Sequence, residues 1–188
     1  MRTFVSVEIP GKIKNNINKM IVKMKRRLKA GEQVKWVDKN NLHITLKFIG
    51  WIEDGKIEKM TDSLANSVKD FGAIKVSIAG LGVFPDERHP RVVWAGIDEG
   101  WDRIKQLSER IEDRLSKESY GKRENREFSP HLTIGRIKEK IDPETLCGLI
   151  EKNKKERYGS FAAKNISLMK STLRRSGPIY EEIEQIKL

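Results

Sequence analysis

Apolar residues recur along this chain with two different periods, and the switches between them divide it into strands and helices. Alternation of apolar and polar positions predicts strands over residues 3–9, 42–49, 74–84, 92–97, 132–137, 165–171 and 180–188, with a short extended piece at 34–37. Spacing of three to four predicts helices over 12–28, 53–71, 101–117 and 143–153, and Pro10-Gly11 and Asp142-Pro143 suit two of their starts. Several strands follow one another through turns, as across 85–90, instead of alternating strictly with helices. The expected class is therefore α+β, with antiparallel sheets and helices on their outer side. Nothing rich in Gly, Pro or Ser separates the elements, so residues 1–188 read as one domain. The basic run at 152–157 reads as a solvated helix end, and Gly80-Leu81-Gly82 as a strand-end feature without the rest of a phosphate loop.

Two of the predicted strands carry the same phrase. His43-Ile44-Thr45-Leu46 and His131-Leu132-Thr133-Ile134 are both His-x-Thr-apolar, 88 residues apart in a chain of 188. The chain has three histidines and six threonines, so two such coincidences have a chance of about one in several hundred. On a strand, residues i and i+2 share a face, so each phrase presents an imidazole and a hydroxyl together while its aliphatic residues point into a core. By the same period Lys47 should continue the face of His43 and Thr45 and add positive charge to a cleft, while its counterpart Gly135 should leave room for close approach. The duplication predicts two related lobes whose sheets face one another with both histidines between them.

Composition narrows the chemistry. Lys and Arg number 38 against 27 Asp and Glu, a formal net charge of +11 and a pI near 9.7, which favours polyanionic partners such as nucleic acid. A charged fraction of 35% also suits the solvated surface of a heat-adapted protein, though that leaves the sign unexplained. A single cysteine, Cys147, cannot form an internal disulfide and is expected as small core filler in a helix. No signal-peptide or membrane-spanning run is visible, so a cytoplasmic protein is expected.

Two imidazoles on one ligand suit displacement at phosphorus. One neutral His takes a proton from the attacking oxygen while a protonated His delivers one to the leaving oxygen, each worth about 10²–10⁴-fold. Thr45 and Thr133 could donate to the non-bridging oxygens. Lys47 and Arg126 are candidates for general phosphate attraction. The pattern does not tell donor from acceptor, because the two phrases are chemically alike. A zinc site from His43, His131 and His89 is chemically conceivable, but no Cys or carboxylate joins either phrase, so no metal is expected. A non-catalytic RNA-binding module would share the basic charge and is the alternative from another class.

The residues resemble a known family. Leu42-His43-Ile44-Thr45-Leu46-Lys47-Phe48-Ile49-Gly50 and Phe128-Ser129-Pro130-His131-Leu132-Thr133-Ile134-Gly135-Arg136 look like the paired motifs of the two-histidine phosphoesterase superfamily. The likeness is greatest to the RNA 2′,3′-cyclic phosphodiesterases of bacteria and archaea, once called 2′-5′ RNA ligases. The segments Arg2-Thr3-Phe4-Val5-Ser6-Val7, Val34-Lys35-Trp36-Val37, Arg91-Val92-Val93-Trp94 and Gly177-Pro178-Ile179-Tyr180 extend it nearly end to end, and an archaeal source is expected. The resemblance implies a bilobal, pseudo-duplicated fold around a basic cleft. It implies metal-independent, cofactor-free hydrolysis of a 2′,3′-cyclic phosphate on an RNA end or nucleotide to a 2′-phosphate, by a monomer. Carried over, His43 would be the proton donor and His131 the acceptor, and 2′-5′ ligation would be the reverse of the same chemistry.

Overall fold

Antiparallel pairing joins every strand, as the turn-linked pattern predicts. The structure, a computed structural model, describes residues 1–28, 33–139, 141–175 and 177–188. In chain order its elements are β1 (Arg2–Glu8), α1 (Gly11–Leu28), β2 (Val34–Trp36), β3 (His43–Trp51), α2 (Ile57–Val68), β4 (Ile74–Phe84), β5 (Val92–Glu99), α3 (Trp101–Lys117), β6 (Leu132–Ile137), α4 (Pro143–Lys152), β7 (Arg157–Ala163), β8 (Asn165–Arg174) and β9 (Gly177–Lys187). One sheet has the order β3-β1-β8-β9 and the other β2-β6-β5-β4-β7. Helices α2 and α3 pack on the first sheet, α1 and α4 on the second. The class is the expected α+β arrangement of two antiparallel sheets.

Each helix is placed by one apolar stripe. In α1 the buried residues are Ile13, Ile17, Met20, Ile21 and Met24, and in α3 they include Ile104, Leu107, Ile111 and Leu115. Both sets recur every three to four residues, so a single face enters the core. The start of α4 is fixed by Asp142, whose carboxylate accepts from the Thr145 amide at 3.1 Å, with Pro143 beginning the helix. No helix among the described residues is long and apolar enough to cross a membrane.

Three expectations need correction. Strand β7 escapes the alternation rule because Gly159, Ser160, Ala162 and Ala163 carry little apolar contrast, and only Tyr158 and Ala163 are buried. Its first residue is Arg157, so the basic run ends in a strand and not in solvated helix. Gly80 sits inside β4, where the pairing slips past it and its φ is +72°. A Cβ there would stand 2.7 Å from the Lys154 carbonyl oxygen, so glycine permits close approach of another segment. Cys147 is half-buried, with Sγ 3.9 Å from the Glu87 carbonyl oxygen, and is not core filler.

The feature that decides the site is a pair of bulges. Along β1 and β3, Ser6 pairs with Thr45 and Val5 with Lys47, which leaves Leu46 as an extra residue. Along β5 and β6, Trp94 pairs with Thr133 and Val93 with Gly135, which leaves Ile134 extra. Both strands therefore bulge at the residue after the motif threonine. An extra residue reverses the in–out alternation, so the position three after each threonine, and not two after, continues the histidine face. The freed carbonyls are not orphaned. Ser108 of α3 donates to the Leu46 oxygen at 2.6 Å, and the Val37 amide donates to the Ile134 oxygen at 2.9 Å.

Candidate active site

His43, Thr45, His131 and Thr133 line one cavity of about 620 Å³ between the two sheets. The two imidazoles are held alike. His43 Nδ1 lies 2.7 Å from the Asn41 carbonyl oxygen, and His131 Nδ1 lies 2.7 Å from the Ser129 carbonyl oxygen. A carbonyl only accepts, so Nδ1 carries the hydrogen in each ring and donates it. Nε2 is then the nitrogen left for proton transfer, as a lone pair when the ring is neutral and as an acid when it is charged. His43 Nε2 also lies 3.0 Å from Thr45 Oγ1. Aromatic packing sets the ring planes: His43 meets Tyr180 edge-on at 5.3 Å and Phe4 at 4.9 Å, and His131 meets Phe84 edge-on at 5.0 Å.

Burial pulls both imidazoles below their ordinary value and is the largest influence on each. Asn41 and Glu8 oppose it at His43, with Lys14 on the side of lowering. At His131 the Ser129 carbonyl opposes it, while the Arg136 guanidinium lowers it further. The fields are thus unequal: at His43 the Glu8 carboxylate outweighs the Lys14 ammonium paired with it at 3.2 Å, whereas at His131 the Arg136 guanidinium acts. Tyr180 is kept a phenol by burial, against the pull of Arg136 and Arg2.

The structure does not bring two of the sequence-predicted site residues, Lys47 and Arg126, to the cavity. Lys47 does not enter the cleft. The bulge at Leu46 turns it into the core, where it is 4% exposed and its ammonium donates to Glu112 Oε2 at 2.7 Å and to the Lys122 carbonyl at 3.3 Å. There it ties β3 to α3. Its counterpart Gly135 is turned away as well, and a Cβ at that position would meet Trp36 and Val34 at 3.0 and 3.1 Å, so the room it leaves is filled by protein. Arg126 is exposed in the loop before β6, where its amide donates to Glu124 at 3.3 Å, and it is not among the cavity's lining residues. His89 is exposed in the β4–β5 connection beside Asp86, also away from the cavity.

Residues 3–188 match the family described as AKAP7 2′5′ RNA ligase-like domain. The chain belongs to this family of two-histidine phosphoesterases. Its relatives include the RNA 2′,3′-cyclic phosphodiesterase of Methanocaldococcus jannaschii, 36% identical over 185 residues, which span 98% of this chain and 99% of the relative. The protein of the same name from Methanothermobacter thermautotrophicus is 32% identical over 188 residues, spanning 100% and 99%. Among solved structures, E. coli LigT complexed with 3′-AMP superposes with a TM-score of 0.75 at 21% identity, covering 100% of this chain and 97% of that one. TT0787 of Thermus thermophilus gives 0.76 at 19%, covering 100% and 98%. These last two likenesses concern the fold alone.

Within this two-histidine architecture, the cations at the cavity are Arg2, Lys35 and Arg136. None is ion-paired with a carboxylate among the described residues. Arg136 takes, on β6, the position that Phe48 takes on β3, three after the threonine. Simple alternation misses all of these. A threonine-plus-three rule applied to both phrases finds Arg136, whereas Arg2 and Tyr180 arrive from opposite ends of the chain with no local signal.

Proposed function

We propose that this chain hydrolyses the 2′,3′-cyclic phosphate of an RNA end or nucleotide to a 2′-phosphate, by metal-independent acid–base catalysis in one domain, residues 1–188, acting as a monomer. The observation that carries the reading is the matched pair of imidazoles, each fixed through Nδ1 by the carbonyl two residues upstream and each on a strand of a different sheet at one cavity. The names of the curated relatives support the substrate.

His131 Nε2 takes a proton from water as its oxygen attacks phosphorus, and the P–O3′ bond breaks as His43 Nε2–H protonates the departing 3′ oxygen. The product carries a 2′-phosphate and a free 3′-hydroxyl. The unequal fields support this division of roles. Glu8 stabilises charge on His43, the acid, and Arg136 disfavours it on His131, the base. Thr45 and Thr133 donate to the non-bridging oxygens, and Arg136 offsets the charge that develops there. With the 5′-hydroxyl of a second strand in place of water, the same pair opens the cyclic phosphate to a 2′-5′ phosphodiester and a free 3′-hydroxyl, although water at high concentration favours hydrolysis. Lys47 and Arg126 take no part.

The test is product identity. 2′,3′-cyclic AMP and an RNA with a cyclic-phosphate end should both be opened to 2′-phosphates at rates unchanged by exhaustive chelation. An RNA with a 3′-hydroxyl should be left as it is. Folded protein that binds both RNA ends equally and converts neither would be a binding module instead. Activity lost with stoichiometric metal on chelation would replace the two-histidine mechanism with a metal site.

A further inference from the structure

The register of β1 and β3 extends the histidine face well beyond the motif. Paired residues share a face, so the cleft side of this ladder carries Glu8 with His43, Ser6 with Thr45, Phe4 with Phe48, and Arg2 with Trp51. A second extra residue, Ile49, keeps Phe48 and Trp51 on that one side. Each two-residue step along β1 advances about 6.6 Å. Phe48 therefore stands one step beyond the motif threonine and Trp51 two steps, a spacing comparable to successive nucleotides of an extended strand.

Both aromatic rings face solvent. Phe48 is 61% exposed and Trp51 83%, the most exposed large apolar side chain among the described residues. A single exposed ring would be ordinary, but Phe48 and Trp51 lie on one side of the same ladder, and clustered exposed apolar surface marks an interaction site. Next to it on β1, Arg2 lines the catalytic cavity and supplies positive charge where a phosphodiester would cross. An exposed aromatic beside a cation, in line with a phosphate-handling site, fits single-stranded nucleic acid.

We propose that Trp51 is a stacking platform for the base of the second nucleotide from the cyclic end of an RNA, with Phe48 against the base of the terminal nucleotide. This rests on the proposed reaction for its orientation. Every base has a π face, so the platform adds affinity without base preference. It makes the protein an RNA-end enzyme in preference to a cyclic-mononucleotide enzyme.

The experiment compares 2′,3′-cyclic AMP with the dinucleotide ApA ending in a 2′,3′-cyclic phosphate, using wild type, Trp51→Ala and Trp51→Phe. Trp51→Ala should lower kcat/KM for the dinucleotide about tenfold, chiefly through KM, and leave cyclic AMP within about twofold; Trp51→Phe should restore most of the loss. Trp36 at the cavity can report either ligand, so the readout is the extra indole quenching that ApA 2′-phosphate gives over 2′-AMP, and Trp51→Phe should remove that difference. Equal losses on both substrates, or none on the dinucleotide, would overturn the platform. So would a concentration-dependent dimer that Trp51→Ala dissolves, since the occupant would then be a second copy. If wild type opens neither substrate, the proposed reaction fails, and the fluorescence comparison still decides the stacking.

Discussion

Lys47 and Arg136 should exchange the roles that simple strand alternation gives them, and paired substitutions measure this. Lys47→Met deletes one partner of an ion pair whose lysine side chain is 1% exposed and whose glutamate side chain is 17% exposed. Removing one member of a buried pair costs roughly 3–5 kcal/mol when the other is left uncompensated. Glu112 keeps the Ser116 hydroxyl at 2.5 Å and some water, so about 2–3 kcal/mol is expected. For a chain of this size that is a fall in Tm of about 4–12 °C. Turnover per folded molecule should stay within about threefold. The deficit should also narrow on acidification. In the wild type, burial raises the Glu112 carboxyl, but Lys47 and Ser116 overcome this and hold it below its ordinary value. Its contribution is therefore present above the unfolded carboxylate range and lost as pH falls through the folded value. Without Lys47, burial is opposed only by the Ser116 hydroxyl and a backbone hydrogen bond at Glu124, so protonating Glu112 relieves part of the penalty. Arg136→Ala should do the reverse: activity down about 30- to 1000-fold for a lost charged donor, with stability within about 0.5 kcal/mol. Calorimetry and steady-state kinetics on both variants decide the matter. A Lys47→Met protein of unchanged Tm and collapsed activity would put Lys47 in the cleft and refute the bulge argument.

His43→Ala and His131→Ala should each lower kcat by about 10²-fold or more with Tm nearly unchanged, since the two proton transfers are separate, and near-normal turnover in either would end the two-histidine mechanism. Thr45→Ala and Thr133→Ala should cost about 1–3 kcal/mol in kcat/KM with Ser largely restoring it, and a severe loss in folded Ser variants would assign the effect to the methyl groups. Both imidazoles are held below 6.5, so the form with one proton between them peaks below pH 6.5 in the free protein. The kcat/KM optimum should accordingly be mildly acidic, with the kcat optimum displaced upward because bound phosphate favours imidazolium; an optimum for kcat/KM above neutral would contradict it. The unfolded chain, with its higher imidazole values, binds more protons as pH drops, so stability should decline below about pH 6.5.

What the sequence determined by itself was whatever depends on short-range periodicity. The His-x-Thr phrase repeats at a period of two, so placing each imidazole and its hydroxyl on one face needed no knowledge of the fold, and His43, Thr45, His131 and Thr133 do line one cavity. The helical stripes were legible for the same reason, as in Ile13, Ile17, Met20 and Met24 of α1. What only the tertiary structure decided begins one residue past each threonine. A bulge is stable only if its spare carbonyl finds a donor, and those donors are Ser108 on α3 and Val37 beyond β2, which the chain brings in from far along its length. Without them the alternation would continue, Lys47 would face the ligand and Arg136 would not. Arg2 and Tyr180 were equally invisible, because they reach one cavity on strands β1 and β9, which come from opposite ends of the chain to join one sheet. Local pattern fixes which face a residue shares with its neighbours. The hydrogen bonds of distant segments fix where that pattern is interrupted, and here the interruption chooses which side chains meet the substrate.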